Sequence, residues 1–276
     1  MEIRYLADPE RFVRMTTKEL RETFLVKKLF EPGQLKMLYS DTERVVVAGA
    51  VPTKEALDLK GGKEMASEYF AQRREIGVIN IAAAGSITVD GQEFKLDKLD
   101  SLYIGRGAKE ILFTSKEPEN PAEFYILSYP AHRAYPTKLI HKVEANKVEL
   151  GSPEASNERT IYQYIRPGVA ESCQLVMGLT ILASGSVWNT FPPHTHARRT
   201  EIYFYFDLAE DARVFHMMGS PSETRHLVMK NKEAVLSPSW SIHAGAGSSS
   251  YTFIWGMGGE NQEFDDMDFV NADEIK

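Results

Sequence analysis

The sequence contains a single cysteine, Cys173. One thiol can form neither a disulfide within the chain nor a cysteine-based zinc cluster, so a metal site here must use histidine and carboxylate ligands. No apolar run approaches the roughly 18 residues that a membrane helix needs, and the charged start lacks the apolar stretch of a secretory signal. We therefore expect a cytoplasmic protein that has no membrane partner.

The chain also has fewer basic than acidic residues. The chain has 32 Lys and Arg residues against 39 Asp and Glu residues, and its net charge is -7. No Lys/Arg-rich block offsets that balance, so we do not expect a nucleic-acid partner. Hydrophobic residues make up 43% of the chain and charged residues 26%, which is typical of a folded globular protein and argues against disorder.

Most of the sequence has the pattern of short β-strands. Runs such as "RVVVAGAV", "EFYILSY" and "YTFIWGM" are rich in β-branched and aromatic residues and are separated by turn residues. One stretch near the start differs, because apolar residues recur there at three- and four-residue intervals after Thr16 and Thr17, which predicts a short amphipathic helix. These apolar residues are Leu20, Phe24, Leu25, Leu29 and Phe30.

The chain also divides into two similar halves. Residues 129–160 are rich in proline, charge and small polar residues, which indicates a linker, so we place the boundary near residue 150. The segments that begin at Arg73 and at Arg198 both lead from an arginine pair and a glutamate into a strand. We therefore predict two β-sandwich or jelly-roll halves, residues 1–150 and 151–276.

A group of potential metal ligands lies in the second half. His194 and His196 stand two residues apart, so on a strand both side chains point to the same side. Glu201 can join them only if the intervening "ARRT" forms a turn, and His243 follows a proline turn much later in the chain. Three imidazoles and a carboxylate suit Zn, Fe(II), Mn or Ni, so ligand chemistry alone does not select the metal.

These ligands resemble the metal motifs of the cupins. His194, His196 and Glu201 match HxHxxxxE, and Pro238 to His243 matches the later PxGxxH motif, with Trp240 at the glycine position. Over nearly its whole length, the chain resembles one cupin family, the 5-keto-4-deoxyuronate isomerases. The resemblance rests on stretches such as "YFAQRREIGVINIAAAGSITVDG", "WNTFPPHTHARRTEIYFYF" and "SPSWSIHAGAG". The resemblance implies two cupin-like halves, one zinc ion held by the three histidines and the glutamate, and a homohexamer.

The resemblance also implies a reaction. The small-molecule substrate is 5-dehydro-4-deoxy-D-glucuronate, which is isomerised to 3-deoxy-D-glycero-2,5-hexodiulosonate in pectin and uronate breakdown by a metal-assisted enediol mechanism. Arg198 or Arg199 is our candidate to bind the substrate carboxylate, because both belong to the predicted turn "ARRT" between His196 and Glu201, which we call the ligand turn. Tyr203 and Tyr205 share the strand face of Glu201 and either contact substrate or pack in the core. The general base is unassigned and is a tyrosine, a carboxylate or water.

Three further interpretations concern the first half, the assembly and the function. Aligning the halves on their glutamates places Glu68 and Phe70 at the first two histidine positions, and aligning later strands places Lys109 at the position of His243, so we expect no metal in the first half. The apolar residues Ile202, Phe204 and Phe206 lie on the other face of their strand and serve either sheet packing or subunit contact. The alternative functions are a 5-deoxyglucuronate isomerase of inositol breakdown, a cupin-type metal dioxygenase and a metal-free sugar-binding or storage protein.

Overall fold

The computed structural model describes residues 1–263 and 266–276. The described chain forms two compact units, and each is assembled from separate segments. The first unit contains Met1–Arg4, Lys28–Asn146 and Gln163–Met177, and the second contains Tyr5–Lys27, Lys147–Tyr162 and Gly178–Lys276. Among the described residues, no helix has the length and apolar character required to cross a membrane.

Strands account for most of the regular structure, which confirms the predicted mostly β fold. Two α-helices are present near the start, and the remaining helices are single 3-10 turns. The helices are α1 (Pro9–Phe12) and α2 (Thr17–Phe24). The first twelve strands are β1 (Glu2–Arg4), β2 (Leu25–Val26), β3 (Leu35–Ser40), β4 (Val46–Ala50), β5 (Leu57–Asp58), β6 (Arg74–Asn80), β7 (Gly85–Val89), β8 (Gln92–Leu96), β9 (Ser101–Ile104), β10 (Ile111–Ser115), β11 (Phe124–Pro130) and β12 (Lys138–Ile140). The others are β13 (Asn146–Leu150), β14 (Arg159–Ile165), β15 (Val176–Leu182), β16 (His194–Thr195), β17 (Arg199–Phe206), β18 (Val214–Ser220), β19 (Glu223–Met229), β20 (Glu233–Ser237), β21 (Ile242–Gly247), β22 (Thr252–Gly259) and β23 (Asp268–Phe269).

The first unit is a β-sandwich. Its larger sheet has the order β1-β3-β4-β11-β6-β9-β12, and its smaller sheet has the order β5-β10-β7-β8. Side chains from both sheets meet in one hydrophobic core, in which Ile76 and Val78 of β6 join Ile87 of β7 and Phe113 of β10. This alternation of buried residues along β6 is the period-two pattern that packs one face of a strand against a second sheet.

The second unit is organised around β17. This strand lies between β20 and β22 in the sheet β13-β14-β15-β22-β17-β20-β2, and all of its residues are buried. One face of β17 carries Tyr203 and Tyr205, whose rings contact His216 of β18. β18 is the central strand of the three-stranded sheet β19-β18-β21, and β16 pairs with β23 as a separate two-stranded ribbon.

The N-terminal helix is shorter than the apolar periodicity predicts. α2 begins after Thr16, whose side chain forms a capping box with Glu19, and it ends at Phe24. Leu25 is already extended, and with Val26 it pairs with β20 through Leu25↔Val235 and Val26↔Ala234. Strand pairing therefore ends the helix where sequence periodicity alone would continue it.

Two other regions differ from the sequence interpretation. Residues 129–160, which we interpreted as a linker, contain β12 and β13. The two compact units do not meet at a single boundary near residue 150, because each contains several separate segments of the chain. The outward residues of β17 are buried within the chain, so they serve sheet packing and cannot form an exposed subunit contact. These residues are Ile202, Phe204 and Phe206.

The alignment of the two halves on their glutamates is wrong, because Glu75 points away from the core of its unit whereas Glu201 points into its own. Ile76 and Val78 point into the core of the first unit, and Glu75 therefore points away from it. Its fully buried carboxylate accepts hydrogen bonds from the backbone N–H groups of residues 173–175 at 2.6 to 2.9 Å and from the Tyr103 hydroxyl at 2.9 Å. Glu75 anchors a chain segment and is not a counterpart of Glu201.

Candidate metal centre

Four potential ligands meet inside the second unit. His194 belongs to β16, Glu201 belongs to β17 and His243 belongs to β21, while His196 lies in the turn between the first two strands. A backbone hydrogen bond of 3.1 Å from Arg199 N to His196 O closes the predicted turn. One ligand atom from each of the four residues lies within 4.8 Å of the others, and all four residues are buried.

The distances between the ligand atoms define a compact centre. His243 Nε2 lies 2.9 Å from Glu201 Oε2 and 3.0 Å from His194 Nε2. His196 Nε2 lies 3.1 Å from the same Glu201 oxygen. Three imidazole nitrogens and one carboxylate oxygen therefore converge on one point, and such donors are the usual ligands of a divalent transition metal.

Backbone carbonyls orient two of the rings. His196 Nδ1 lies 3.0 Å from the carbonyl oxygen of Arg199, and His243 Nδ1 lies 3.4 Å from that of Ser241. A proton on each Nδ1 would be donated to these carbonyls, which leaves the lone pair of Nε2 available for a metal. Hydrogen bonds of this kind fix the tautomer and the ring orientation of metal-binding histidines.

Electrostatics distinguishes the members of the group. Burial opposes ionisation of Glu201, but His243 and His196 outweigh that effect and lower its pKa below the ordinary value. Burial, reinforced by neighbouring His243, lowers the pKa of His194 to about 3. Burial also disfavours a charged His196, yet its hydrogen bond to Glu201 leaves the pKa raised. The group therefore contains an ionised carboxylate and a neutral His194, which are the protonation states that metal ligands require.

The two candidate arginines are held by neighbouring residues of the second unit. Arg198 Nη2 lies 2.5 Å from Asp266 and 3.0 Å from Asp268, so it pairs with two carboxylates. Arg199 is 1% exposed, and its Nη1 donates to Asn261 Oδ1 at 3.0 Å and to the backbone carbonyl of residue 263. Each guanidinium thus tethers the ligand turn to the segment that follows β22. The acidic run 263–268 includes residues 264 and 265, which lie outside the described residues.

The two candidate tyrosines face the inside of the unit, as the alternation along β17 predicts. The Tyr203 ring lies 5.6 Å from the His243 ring, and its hydroxyl is 3.3 Å from Thr190 Oγ1. The Tyr205 hydroxyl is farther along the strand and lies 2.7 Å from His216 Nδ1. Burial raises the pKa of both tyrosines well above the ordinary value, so both hydroxyls stay protonated at neutral pH.

Two residues near this centre were not identified from the sequence. Arg159 on β14 is partly buried, donates to the carbonyl of Asn157 at 2.8 Å, and has a charge that acts on Tyr203. Phe269 of β23 pairs with His194 in register, and their rings lie 6.1 Å apart although Phe269 is 70% exposed. Neither residue belongs to the ligand motif, and strand pairing is what brings Phe269 to His194.

Comparison with known proteins gives consistent results. The sequence pattern of the KduI/IolB family matches residues 24–273. A protein of Caldicellulosiruptor bescii named 4-deoxy-L-threo-5-hexosulose-uronate ketol-isomerase is 52% identical over 276 residues, 100% of both chains. A protein of the same name from Lachnoclostridium phytofermentans is 54% identical over 276 residues, again 100% of both. The crystal structure of an IolB-like protein from Salmonella typhimurium LT2 has a TM-score of 0.73 at 15% identity and covers 90% of this chain and 97% of that one.

Proposed function

The chain belongs to the KduI/IolB family, and we propose that it is a ketol-isomerase that converts 5-dehydro-4-deoxy-D-glucuronate into 3-deoxy-D-glycero-2,5-hexodiulosonate. The observation that carries this proposal is full-length identity of 52% and 54% to proteins named for that activity. The IolB-like structure, at 15% identity, supports the fold alone. The reaction moves hydrogen within one molecule and requires no redox cofactor.

We propose that the four-residue centre holds one zinc ion per chain. The donor set of three imidazoles and one carboxylate, all buried, fits zinc. The same donors also bind other divalent transition metals. The ligands of this proposed site are His194, His196, Glu201 and His243. When bound, such an ion supplies a Lewis acid that polarises the substrate carbonyl.

The side chains of this unit limit the identity of the general base. Isomerisation transfers a proton from C2 to C1, which requires a group that accepts the proton and returns it. Tyr203 and Tyr205 are protonated at neutral pH because burial raises the pKa of each, so both are suited to donate hydrogen bonds. Glu201 is ionised but is committed to the histidines. We therefore propose that a water molecule or a carboxylate other than Glu201 acts as the base.

We propose that an arginine of the second unit binds the substrate carboxylate. Arg198 is the more accessible of the two predicted candidates, but its two aspartate partners compete for its guanidinium. Arg199 is almost fully buried and already donates to Asn261. Arg159 adds a third candidate, since its charge acts on Tyr203 and its Nη1 donates to the neutral carbonyl of Asn157. The three arginines can be replaced by glutamine one at a time. The variant that lacks the substrate-binding arginine should show the largest increase in KM.

We further propose that the protein acts in the cytoplasm as a homohexamer, as the family resemblance implies. Support for the assembly comes from exposed apolar side chains in the second unit, namely Phe191, Phe215 and Phe269. These side chains, unlike the buried outward residues of β17, remain available for contact between subunits.

The decisive experiment combines an isomerase assay with elemental analysis of the same purified protein. We expect one equivalent of metal per chain and conversion of the aldose to the ketose without oxygen consumption. Parallel assays with 5-deoxyglucuronate separate this activity from that of an inositol-pathway isomerase. Turnover of 5-deoxyglucuronate alone, or oxygen uptake with a metal-dependent oxidised product, would contradict the proposal.

A further inference from the structure

The arginine pair of the first unit has no part in the proposed reaction. Arg74 begins β6 and is 7% exposed. Its Nε donates to Ser128 Oγ at 3.0 Å, and its Nη2 donates at 2.6 Å to the backbone carbonyls of Ser128 and Arg44. Each of these acceptors is uncharged. Burial lowers the pKa of Arg74 to about 10, so the guanidinium still carries its charge at neutral pH.

A buried cation of this kind normally has an anionic partner. Moving a charge out of water costs several kcal/mol, and neutral hydrogen-bond acceptors offset only part of that cost. Among the described residues, these three neutral acceptors bind the Nε and Nη2 groups of Arg74 without neutralising its charge. The electrostatics of this position therefore favours the presence of an anion nearby.

The surroundings of Arg74 contain a cavity for such an anion. A cavity of about 230 Å³ is lined by Arg74, Arg73 and Arg44, with Glu64 as the one acidic lining residue and Tyr39 among the others. Three arginines and one glutamate leave an excess of two positive charges around this space. Arg73 is positioned by its Nη2, which donates to the backbone carbonyls of residues 65 and 66 at 2.9 and 2.6 Å.

We infer that this cavity is a binding site for a small oxyanion, either a carboxylate or a phosphate group. Planar guanidinium groups recognise both anions through paired N–H donors, and three of them around one cavity exceed what packing alone requires. The site lies wholly within the first unit and uses none of the four proposed metal ligands. It gives the first unit a binding role that does not depend on the isomerase reaction.

The test measures anion binding to the whole metal-loaded protein by titration calorimetry, with inorganic phosphate and acetate as probes. Arg44→Gln and Arg73→Gln are the informative variants, because both side chains are partly or largely accessible. Each should weaken binding of the recognised probe about tenfold, which corresponds to loss of one charge-assisted contact. Arg74→Met is avoided, since it would also remove buried hydrogen bonds and test folding.

Arg106→Gln is the matched control. Arg106 also donates to two backbone carbonyls in the first unit, those of Gln72 and Ala131, but it does not line the cavity. Its variant should bind both probes as the unmodified protein does. The probe that binds more tightly identifies the anion class. The inference is overturned if neither probe shows saturable binding, or if Arg44→Gln and Arg73→Gln bind the probes as tightly as Arg106→Gln.

Discussion

The four proposed ligands show how much of a metal site can be specified by single residues. The Glu201 carboxylate is 5% exposed and lies among three nearly buried imidazoles. A carboxylate in such a position needs compensating charge, and the hydrogen bond to Glu201 raises the His196 pKa, which favours a proton on that ring when no metal is bound. Binding a divalent ion would replace that proton, so metal binding and proton release should be linked.

Replacing one ligand should therefore remove metal and activity together. For His196→Ala we expect loss of stoichiometric metal and at least a hundredfold decrease in kcat, with an unchanged circular dichroism spectrum. His226→Ala is the matched control, because His226 is an exposed histidine of β19 in the same unit. Metal content and turnover should be normal in that control. Retention of full turnover by a metal-free His196→Ala protein would contradict the proposed role of the centre.

A different histidine should make stability depend on pH. His141 Nδ1 lies 2.9 Å from Asp100, and that hydrogen bond raises the His141 pKa above its ordinary value of about 6.5. The folded state therefore favours the protonated ring. Its contribution to the free energy of unfolding is fully present below about pH 6.5 and is lost as pH rises through the folded-state pKa.

Urea unfolding at several pH values tests this expectation. His141→Gln should destabilise the protein at low pH and have less effect above the folded-state pKa. His132→Gln, which changes another exposed histidine of the first unit, is the control, and the loss of stability at low pH should be larger for His141→Gln than for this variant. A His141→Gln effect that is equal at all pH values would show that the ring acts without its charge.

At the scale of elements, β17 positions both the proposed ligand Glu201 and the inner residues Tyr203 and Tyr205. Their shared face was predictable, because side chains alternate along a strand and the sequence "EIYFYF" is long enough to define the alternation. The face of Glu75 in β6 was not predictable in the same way. A one-residue shift in register reverses which side chains point inward, and an alignment based on a shared Arg-Arg-Glu pattern does not determine register.

The end of β22 should be equally important for the ligand turn. A Cβ added at Gly259 would overlap the carbonyl oxygen of Arg198 and lie 2.7 Å from Arg199 Cα, so the backbone between His196 and Glu201 would have to move. For Gly259→Ala we expect at least a tenfold decrease in metal affinity, because metal sites tolerate only small displacements of their ligands. Competition with a chromogenic chelator measures this affinity.

Gly61→Ala is a suitable control for that change. The nearest atom to an added Cβ at Gly61 is the side-chain oxygen of Ser67 at 3.0 Å, and a small side-chain movement can relieve this contact. Its metal affinity should match that of the unmodified protein. If Gly259→Ala also keeps normal affinity, the approach of β22 to the ligand turn does not constrain the centre.

For the whole molecule, the sequence predicted the β class and the clustering of the four proposed ligands better than the grouping of segments. Three of the four ligands lie within eight consecutive residues, so a local motif was sufficient to find them. The placement of Tyr5–Lys27 in the second unit depends instead on pairing of Leu25 with Val235, which are far apart in sequence. Such non-local pairing leaves no periodic signal in either segment. For the same reason Arg159 and Phe269 could not be associated with the site.

The proposed assembly gives a prediction for the complete protein. Multi-angle light scattering should report about six times the chain mass of 31.1 kDa at micromolar concentration. Exposed aromatic side chains favour association because burying them removes apolar surface from water. Phe215→Ser, at an exposed position of β18, tests one such contact. A monomer at working concentration in the unmodified protein would contradict the proposed hexamer.

Removing the metal should change stability as well as activity. An ion that binds only the folded state stabilises it by about 2.7 kcal/mol when its free concentration is a hundred times the dissociation constant. Dialysis against a chelator should therefore lower the unfolding temperature and abolish isomerisation, and stoichiometric zinc should restore both.

Chelation should not alter the unfolding temperature of His196→Ala, because that variant has already lost one of the clustered imidazoles. Because the ligands all belong to the second unit, the shift should affect the transition that unfolds this unit. Full isomerase activity after rigorous metal removal would mean that the chain's own groups catalyse the proton transfer and that the buried cluster serves another purpose.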